Sequence, residues 1–400
     1  MKFGKLTGNK GYPTVMIHGF MAFGEETRIN DYCPYWGFGP HRNLLKHLRG
    51  EGYEVFSPHV GPFNSAWDRS CIIWAYLMGG TVDFGKVHSE KYGHARYGRT
   101  YPGVLKDWGT NDAHKMINII GHSFGGPTVK AFADLVANGS AEERAGTDPA
   151  DLSPFFAENK PQKIHTVTAL SGVMNGTTFA SLWGEKGMVA ATWVAMLLTT
   201  LLGNTAAVDW YDFYMDHWGV MPDPKDRTYK FTNPFAHTEG IKAYAANTKD
   251  SIAREMQVET AQEINKLQTK LDPETYYFCR RADRSHKTKK GNYKLGRDSS
   301  FIMCNIAGYF TGKYIPKGAI PYGVDESWFP NDGFVNVIGQ SAPFSCPSED
   351  INTPTQAKPG MWYNLPVERK DHISWAGLGE KRKVFFAYFD DMFNDFKKLK

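Results

Sequence analysis

Three residues far apart in this 400-residue chain are of the types that together cleave acyl bonds: Ser123, Asp332 and His372. A serine hydroxyl is a poor nucleophile near neutral pH. It needs an imidazole to take its proton and a carboxylate to hold that imidazole in one tautomer. Ser123 sits in Gly121-His122-Ser123-Phe124-Gly125, which fits G-x-S-x-G. Met116 to Ile120, just before it, is a short apolar run suited to a buried strand. Pro127 stands where a first helical turn tolerates proline, and Thr128 to Val136 keeps helical spacing until Asn138-Gly139. A strand turning straight into a helix forces the serine between them into strained backbone, and glycines on either side make room. Asp332 lies in the turn triplet Asn331-Asp332-Gly333, and His372 is the only histidine after His286. The order serine, acid, histidine is that of elbow-type hydrolases. Taken singly, Asp332 reads equally well as an ordinary turn residue and His372 as a surface histidine.

A second set has ligand chemistry. His88 and His94 stand in a short glycine-containing segment that reads as a loop, and Asp68 lies beside Trp67. Together they offer three of the four nitrogen and oxygen ligands that tetrahedral zinc takes. The alternative is a pair of hydrogen-bonded loop histidines.

These groups need a scaffold. Thr14 to Ile17 is a strand followed by His18-Gly19-Phe20-Met21, the place for a first oxyanion donor. His41 to Leu48 reads as a helix and Tyr53 to Phe56 as the next strand. The rhythm then continues into the elbow, which implies a parallel sheet with right-handed crossovers. Residues 61–103 interrupt it, with a helix through Leu77. Lys163 to Leu170 resumes the sheet. Residues 175–238 form an apolar cover, Thr248 to Leu271 an amphipathic helix, and Tyr276 to Cys279 a late strand. Phe334 to Ile338 resumes regular structure after the acid. Lys381 to Lys398 repeats apolar residues at helical spacing. One domain over 1–400 is expected, with insertions at 61–103 and 175–238.

The totals exclude some classes. A net charge of +4 without a long Lys/Arg cluster gives no phosphate track, so nucleic-acid binding is not expected. Five scattered cysteines without knuckle spacing imply buried free thiols. No secretory signal is visible, which fits a cytoplasmic protein or a leader replaced by the initiator Met. Gly187 to Val208 is uncharged and long enough to span a bilayer. Its four threonines and its place between Ser123 and the later acid and histidine argue instead for a covering helix.

The chain resembles the secreted bacterial lipases of the thermoalkalophilic Bacillus/Geobacillus and staphylococcal type, on a clostridial-like branch. The matching stretches are His18-Gly19-Phe20, Asn64 to Arg69 (NSAWDR), Gly79 to Phe84 (GGTVDF), Tyr92 to Pro102 (YGHARYGRTYP), Gly121 to Gly126, Tyr211 to Gly219 (YDFYMDHWG), Asn331 to Asn336 (NDGFVN) and Asp371-His372. The resemblance implies an α/β-hydrolase fold: a mostly parallel central sheet with helices on both faces, a helical lid and a zinc-binding insertion. It implies hydrolysis of esters with long acyl chains at a lipid–water interface, and secretion. Ser123, Asp332 and His372 become the triad, with the backbone N–H groups of Phe20 and Phe124 as oxyanion donors. Phe124 departs from the usual polar residue or Met at its position, which makes the mouth more apolar. The family's fourth zinc ligand has its nearest counterpart in Glu255, although Asp250 lies close enough in sequence to take its place. The family's calcium site is expected to be absent, because His372 is followed by Ile373-Ser374-Trp375-Ala376-Gly377 with no acid until Glu380. A small-ester carboxylesterase, thioesterase or peptidase with a fixed cap is the nearest competing reading, and a non-catalytic binding protein a more distant one. Acyl-chain length, stereopreference and acceptance of insoluble polyesters stay open.

Overall fold

A computed structural model describes residues 10–39, 42–231, 233, 235–246, 250–317 and 320–399, with the backbone alone for 183–193. Eleven strands run through the described residues. They are β1 (Thr14–Ile17), β2 (Val55–Phe56), β3 (Gly80–Asp83), β4 (Tyr97–Tyr101), β5 (Met116–His122) and β6 (Lys163–Leu170), then β7 (Tyr276–Arg280), β8 (Ser285–Lys287), β9 (Tyr293–Leu295), β10 (Ser348–Asp350) and β11 (Trp362–Asn364). Seven of them form one parallel sheet in the order β10-β11-β7-β6-β5-β1-β2. Ser123 follows β5, which is flanked by β6 and β1.

Both faces of this sheet are covered, so its central strands are mainly apolar and β-branched. Alternation along each strand sorts the side chains into two layers. Val15, Ile17, Ile117, Ile119 and Val167 pack with the helices Ala66–Met78 and Gly125–Asn138. Met16, Ile120 and Leu170 pack on the other side with Trp36, Leu44, Trp375 and the helix Arg382–Lys398. That last helix buries Phe385, Phe389, Met392, Phe393 and Phe396, while Val384 is exposed. Each such burial is worth about 2 kcal/mol.

Three sequence expectations change. His88 is not in a loop: it lies on the helix Lys86–Tyr92, which Gly93 ends in the left-handed conformation at φ 79°. A glycine there is a helix C-cap, and it was the glycines that made the stretch look irregular. The expected helix Thr248–Leu271 is two pieces, Ile252–Glu255 and Val258–Leu267; Thr248 itself is outside the described residues. Tertiary bonds break it: Thr177 N–H donates to the Met256 carbonyl at 2.9 Å, and Val258 N–H donates to Ser181 Oγ at 3.0 Å. After Asp332 the resumed run Phe334 to Ile338 forms no regular element, and a single antiparallel bridge joins Asn331 to Asn336.

Segment 61–103 carries the antiparallel pair β3–β4 with the helix Lys86–Tyr92 between them. The helix Thr178–Leu202 runs through the expected cover. Among the described residues no helix is long and apolar enough to cross a membrane. All five cysteines are free, and four of them are buried.

Candidate functional site

Ser123 has φ 60°, inside the left-handed region that a residue with a side chain rarely occupies. Its backbone is held by three bonds. The Ser123 N–H donates to the Leu170 carbonyl at 3.0 Å, and its own carbonyl accepts from Gly126 N–H at 2.9 Å and Val173 N–H at 3.2 Å. The strand-to-helix reversal is tight enough that a Cβ on Gly121 would lie 2.0 Å from the Gly125 carbonyl oxygen. No side chain fits there, which is why glycine occupies the position.

His372 and Asp332 meet although 40 positions separate them. His372 Nδ1–H donates to Asp332 Oδ2 at 2.8 Å, and His372 N–H donates to the Asp332 carbonyl at 2.9 Å. The other carboxylate oxygen, Oδ1, accepts from the N–H groups of Phe334 at 3.0 Å and Val335 at 2.9 Å. Both acceptor atoms of Asp332 are therefore committed, and the carboxylate cannot turn away. With Nδ1 carrying the proton, Nε2 of His372 keeps its lone pair, the form a general base needs. The His122 ring lies 4.8 Å from that of His372 and donates from Nε2 to the His372 carbonyl at 2.9 Å. This bond ties the histidine loop to the residue preceding Ser123.

The loop after β1 passes directly over the serine. A Cβ on Gly19 would come within 2.7 Å of Ser123 Cβ, so only glycine lets the Phe20 backbone this close. Among the described residues, neither the Phe20 nor the Phe124 N–H has an acceptor. The loop is braced from behind: the buried Arg69 donates to the His18 carbonyl, and Val60 N–H donates to His18 Nε2 at 3.2 Å. Burial, with Arg69 and His59 nearby, pushes the His18 pKa well below the usual histidine range and keeps it neutral. Phe124 is fully buried under the Arg69 guanidinium, 5.4 Å from ring centre to Cζ. It shares an apolar cluster with Phe63, Met196, Met215 and Trp218. Met196 belongs to the helix Thr178–Leu202, whose start is fixed to the Asp332 loop by Thr178 N–H donating to Asn336 Oδ1 at 2.9 Å. The expected lid, Gly187 to Val208, falls partly on residues whose side chains are outside the described set.

The ligand set assembles with one change of member. Asp68, His88, His94 and Asp250 bring one ligand atom each within 4.8 Å of one another. His88 Nε2 is 3.0 Å from Asp250 Oδ2 and 3.5 Å from Asp68 Oδ1. His94 Nε2 is 3.7 Å and 3.9 Å from the same two oxygens. Glu255 is not part of the group. Its carboxylate turns back to accept from Ala66 N–H at 3.0 Å, and burial beside Asp250 pushes its pKa well up. The donor chemistry fits a metal. Asp68 Oδ1 and His94 Nε2 are buried with no hydrogen-bond partner, and such orphaned groups are costly unless something else satisfies them. His94 Nδ1–H donates to the Ala95 carbonyl at 3.0 Å, which leaves Nε2 as a donor pair for an ion. His217 had not been singled out by composition or spacing. It approaches Asp68 Oδ2 with Nε2 at 3.0 Å and stacks on Phe84. Its one signal in the sequence was its place inside Tyr211–Gly219. Tyr35 and His122 were missed as well, because nothing local marks a buried hydrogen-bond relay.

The model of the family described as "Lipase-like, C-terminal domain" matches residues 9–398. A lipase of Staphylococcus epidermidis is 28% identical over 368 residues, which cover 91% of this chain and 50% of that protein. Lipase 1 of Staphylococcus aureus matches with the same identity and coverage. The chain thus spans about half the length of the curated relatives it matches. Among solved structures, EstA from Clostridium botulinum is 30% identical with a TM-score of 0.79, covering 99% of this chain and 89% of that one. The Staphylococcus hyicus lipase is 26% identical with a TM-score of 0.81, covering 99% of both chains.

Proposed function

The chain belongs to the lipase-like family, and on that premise we propose that it is a serine carboxylic-ester hydrolase acting on apolar acyl chains. The observation that carries this reading is the His372–Asp332 pair held against the elbow at Ser123. Ser123 Oγ attacks the ester carbonyl carbon while His372 Nε2 takes its proton. The negative charge that develops on the carbonyl oxygen is met by the Phe20 and Phe124 N–H groups, preorganised donors of the kind whose loss costs about a hundredfold or more in kcat. The intermediate collapses to an acyl-enzyme as His372 gives the proton to the leaving alcohol. Water, deprotonated by the same imidazole, then releases the acid. Asp332 stays ionised throughout and holds the ring.

The apolar cluster under Phe124 supports a hydrophobic acyl site, and segment 187–208 acts as the lid over it. The domain is a single unit with insertions at 61–103 and 175–238. Asp68, His88, His94 and Asp250 would hold one zinc ion. Two carboxylates and two neutral imidazoles make a neutral, closed site, which suits a structural role. When bound, the ion ties the 61–103 insertion to the chain that follows the lid. Secretion, toward extracellular lipid, completes the reading.

The test is hydrolysis of short and long p-nitrophenyl esters below and above their solubility limits. A lipase shows a rise in rate as the long ester passes its limit. Turnover of short esters alone, with no such rise, assigns the chain to the small-ester carboxylesterases. Ser123→Ala, Asp332→Asn and His372→Ala each remove most activity without multiplying, since the three act as one unit. Near wild-type turnover in Ser123→Ala or His372→Ala overturns the serine-hydrolase reading.

A further inference from the structure

The helix Ile302–Thr311 is apolar on two sides. Cys304, Ala307, Gly308 and Thr311 face inward and are buried. On the outer side Ile302, Met303, Ile306, Tyr309 and Phe310 are exposed, with Ile302 at 71%. Their spacing puts all five on one helical face. A water-facing helix ordinarily carries charge there, and one that is apolar all round belongs in a core or against lipid. Phe301, just before the helix, and Ile315, just after it, extend the exposed face. The helix packs on Thr178–Leu202, whose Val194 and Leu198 are also exposed. An exposed run of apolar side chains of this kind along one helix marks an interaction site.

The charge beside it says what kind. The β8–β9 hairpin packs on this helix, and Tyr293 N–H donates to the Gly312 carbonyl at 2.8 Å just past its end. The hairpin and its flank carry exposed Lys287, Lys289, Lys290, Lys294 and Arg297, and Lys317 follows the helix. The one acid between residues 285 and 317 is Asp298, which pairs with Arg284 and Arg369. Lys313 lies with Nζ 3.8 Å from the Tyr309 ring centre and 5.1 Å from that of Phe310. A cation lying over the aromatic edge of an apolar face is the arrangement of helices that lie in a membrane interface, where basic groups meet anionic headgroups. An acidic protein partner would pair with the lysines but leave five exposed apolar side chains without an apolar partner of matching shape, whereas a fluid lipid surface takes both.

From this juxtaposition we propose that the Ile302–Thr311 helix and the β8–β9 hairpin form a docking face for an anionic lipid surface. The face lies beside the site: a Cβ on Gly333, next to Asp332, would touch Cys304 of this helix. Docking there would hold the loop that carries Asp332 close to the lipid, which extends the proposed function and rests on it.

The test separates binding from catalysis by using the full chain with Ser123→Ala. It is sedimented with phosphatidylcholine vesicles, with and without phosphatidylglycerol. Binding is expected to require phosphatidylglycerol and to weaken as salt is raised. Ile302→Glu with Ile306→Glu should lower it at least about tenfold, and Lys289→Glu with Lys290→Glu should remove the preference for the anionic lipid. In the active enzyme both double variants keep wild-type turnover of a soluble short-chain ester. No vesicle binding by the parent chain, or unchanged binding in both double variants, overturns the docking face. So does a dimer in sedimentation that Ile302→Glu dissolves, since the face would then pair with a second copy. Loss of soluble-ester turnover in the unsubstituted enzyme, with vesicle binding intact, would instead count against the hydrolase reading alone.

Discussion

His122, the residue before the strained serine, donates from Nε2 to the backbone carbonyl of His372 at 2.9 Å. Its Nδ1 accepts from the Tyr35 hydroxyl, which in turn accepts from Gly19 N–H at 3.2 Å. One chain of hydrogen bonds therefore joins the loop over Ser123 to the loop that carries His372. Burial, with His372 nearby, pushes the His122 pKa well below the usual range. The ring stays neutral, so each nitrogen keeps one fixed role.

We predict that His122→Phe lowers kcat on a soluble ester by about tenfold to a hundredfold, since small misplacement of a catalytic group carries that cost. KM should change little, because the ring touches no substrate. His122→Gln, which keeps a donor in reach of the carbonyl, should recover part of the loss. A fall in stability with unchanged kcat would make the contact purely structural.

Acid sensitivity has an identifiable source. His59 is buried, accepts from Gly24 N–H at 3.3 Å and donates to the Asp212 carbonyl at 2.7 Å. Burial lowers its pKa from 6.5 to about 4. Between those values unfolded His59 binds a proton that folded His59 does not, so the contribution of this group rises with pH through that window and is lost as pH falls toward 4. The single group is worth about 3 kcal/mol. Neutral His18 and His122 act in the same direction; Glu26, whose pKa burial raises to about 8, acts in the opposite direction. Urea midpoints of the parent and of His59→Gln, taken at several pH values, should differ by a slope of the sign given for His59.

Metal binding distinguishes Asp250 from Glu255. Asp250→Asn should abolish stoichiometric zinc in elemental analysis, whereas Glu255→Gln should retain it. His217→Phe, which removes the hydrogen bond to Asp68 Oδ2, should weaken zinc by about tenfold or more, as outer partners of ligands commonly do. Chelation should lower the melting temperature with the Ser123, Asp332 and His372 geometry unchanged. Retained zinc in Asp250→Asn would return Glu255 to the ligand set.

Added calcium should leave the melting temperature unchanged. A hard cation needs several oxygen ligands, and Asp371, the carboxylate next to His372, is already committed. It accepts from Ser300 N–H at 2.6 Å and from Ser374 N–H at 3.1 Å. Lys370 Nζ lies 3.0 Å from Glu368, a cation already in place beside the next acid along the sequence. A rise of several degrees with calcium would show that other oxygens gather there.

Local pattern was enough for the parts of this protein whose physics is local. The mostly apolar, β-branched runs at Thr14–Ile17, Met116–Ile120 and Lys163–Leu170 became β1, β5 and β6, because a strand buried on both faces keeps polar residues only where they find partners, as His165 and Thr166 do at Asn118 Oδ1. The turn between strand and helix at Ser123 was legible because only small flanking residues permit it. The order of Ser123, Asp332 and His372 named the candidates, and the fold brought Asp332 and His372 to 2.8 Å. What the residues could not decide alone were matters of contact between distant segments. Asp250 and Glu255 are five positions apart and chemically alike, yet Asp250 lies just before the short helix Ile252–Glu255 and Glu255 ends it, and packing sends one toward the histidines and the other toward Ala66. His88 looked like a loop residue because glycine marks loops and helix ends alike. The His122–Tyr35 relay and His217 stayed hidden for a related reason. A buried histidine has no periodicity of its own, and its partners are chosen by tertiary packing, not by sequence spacing.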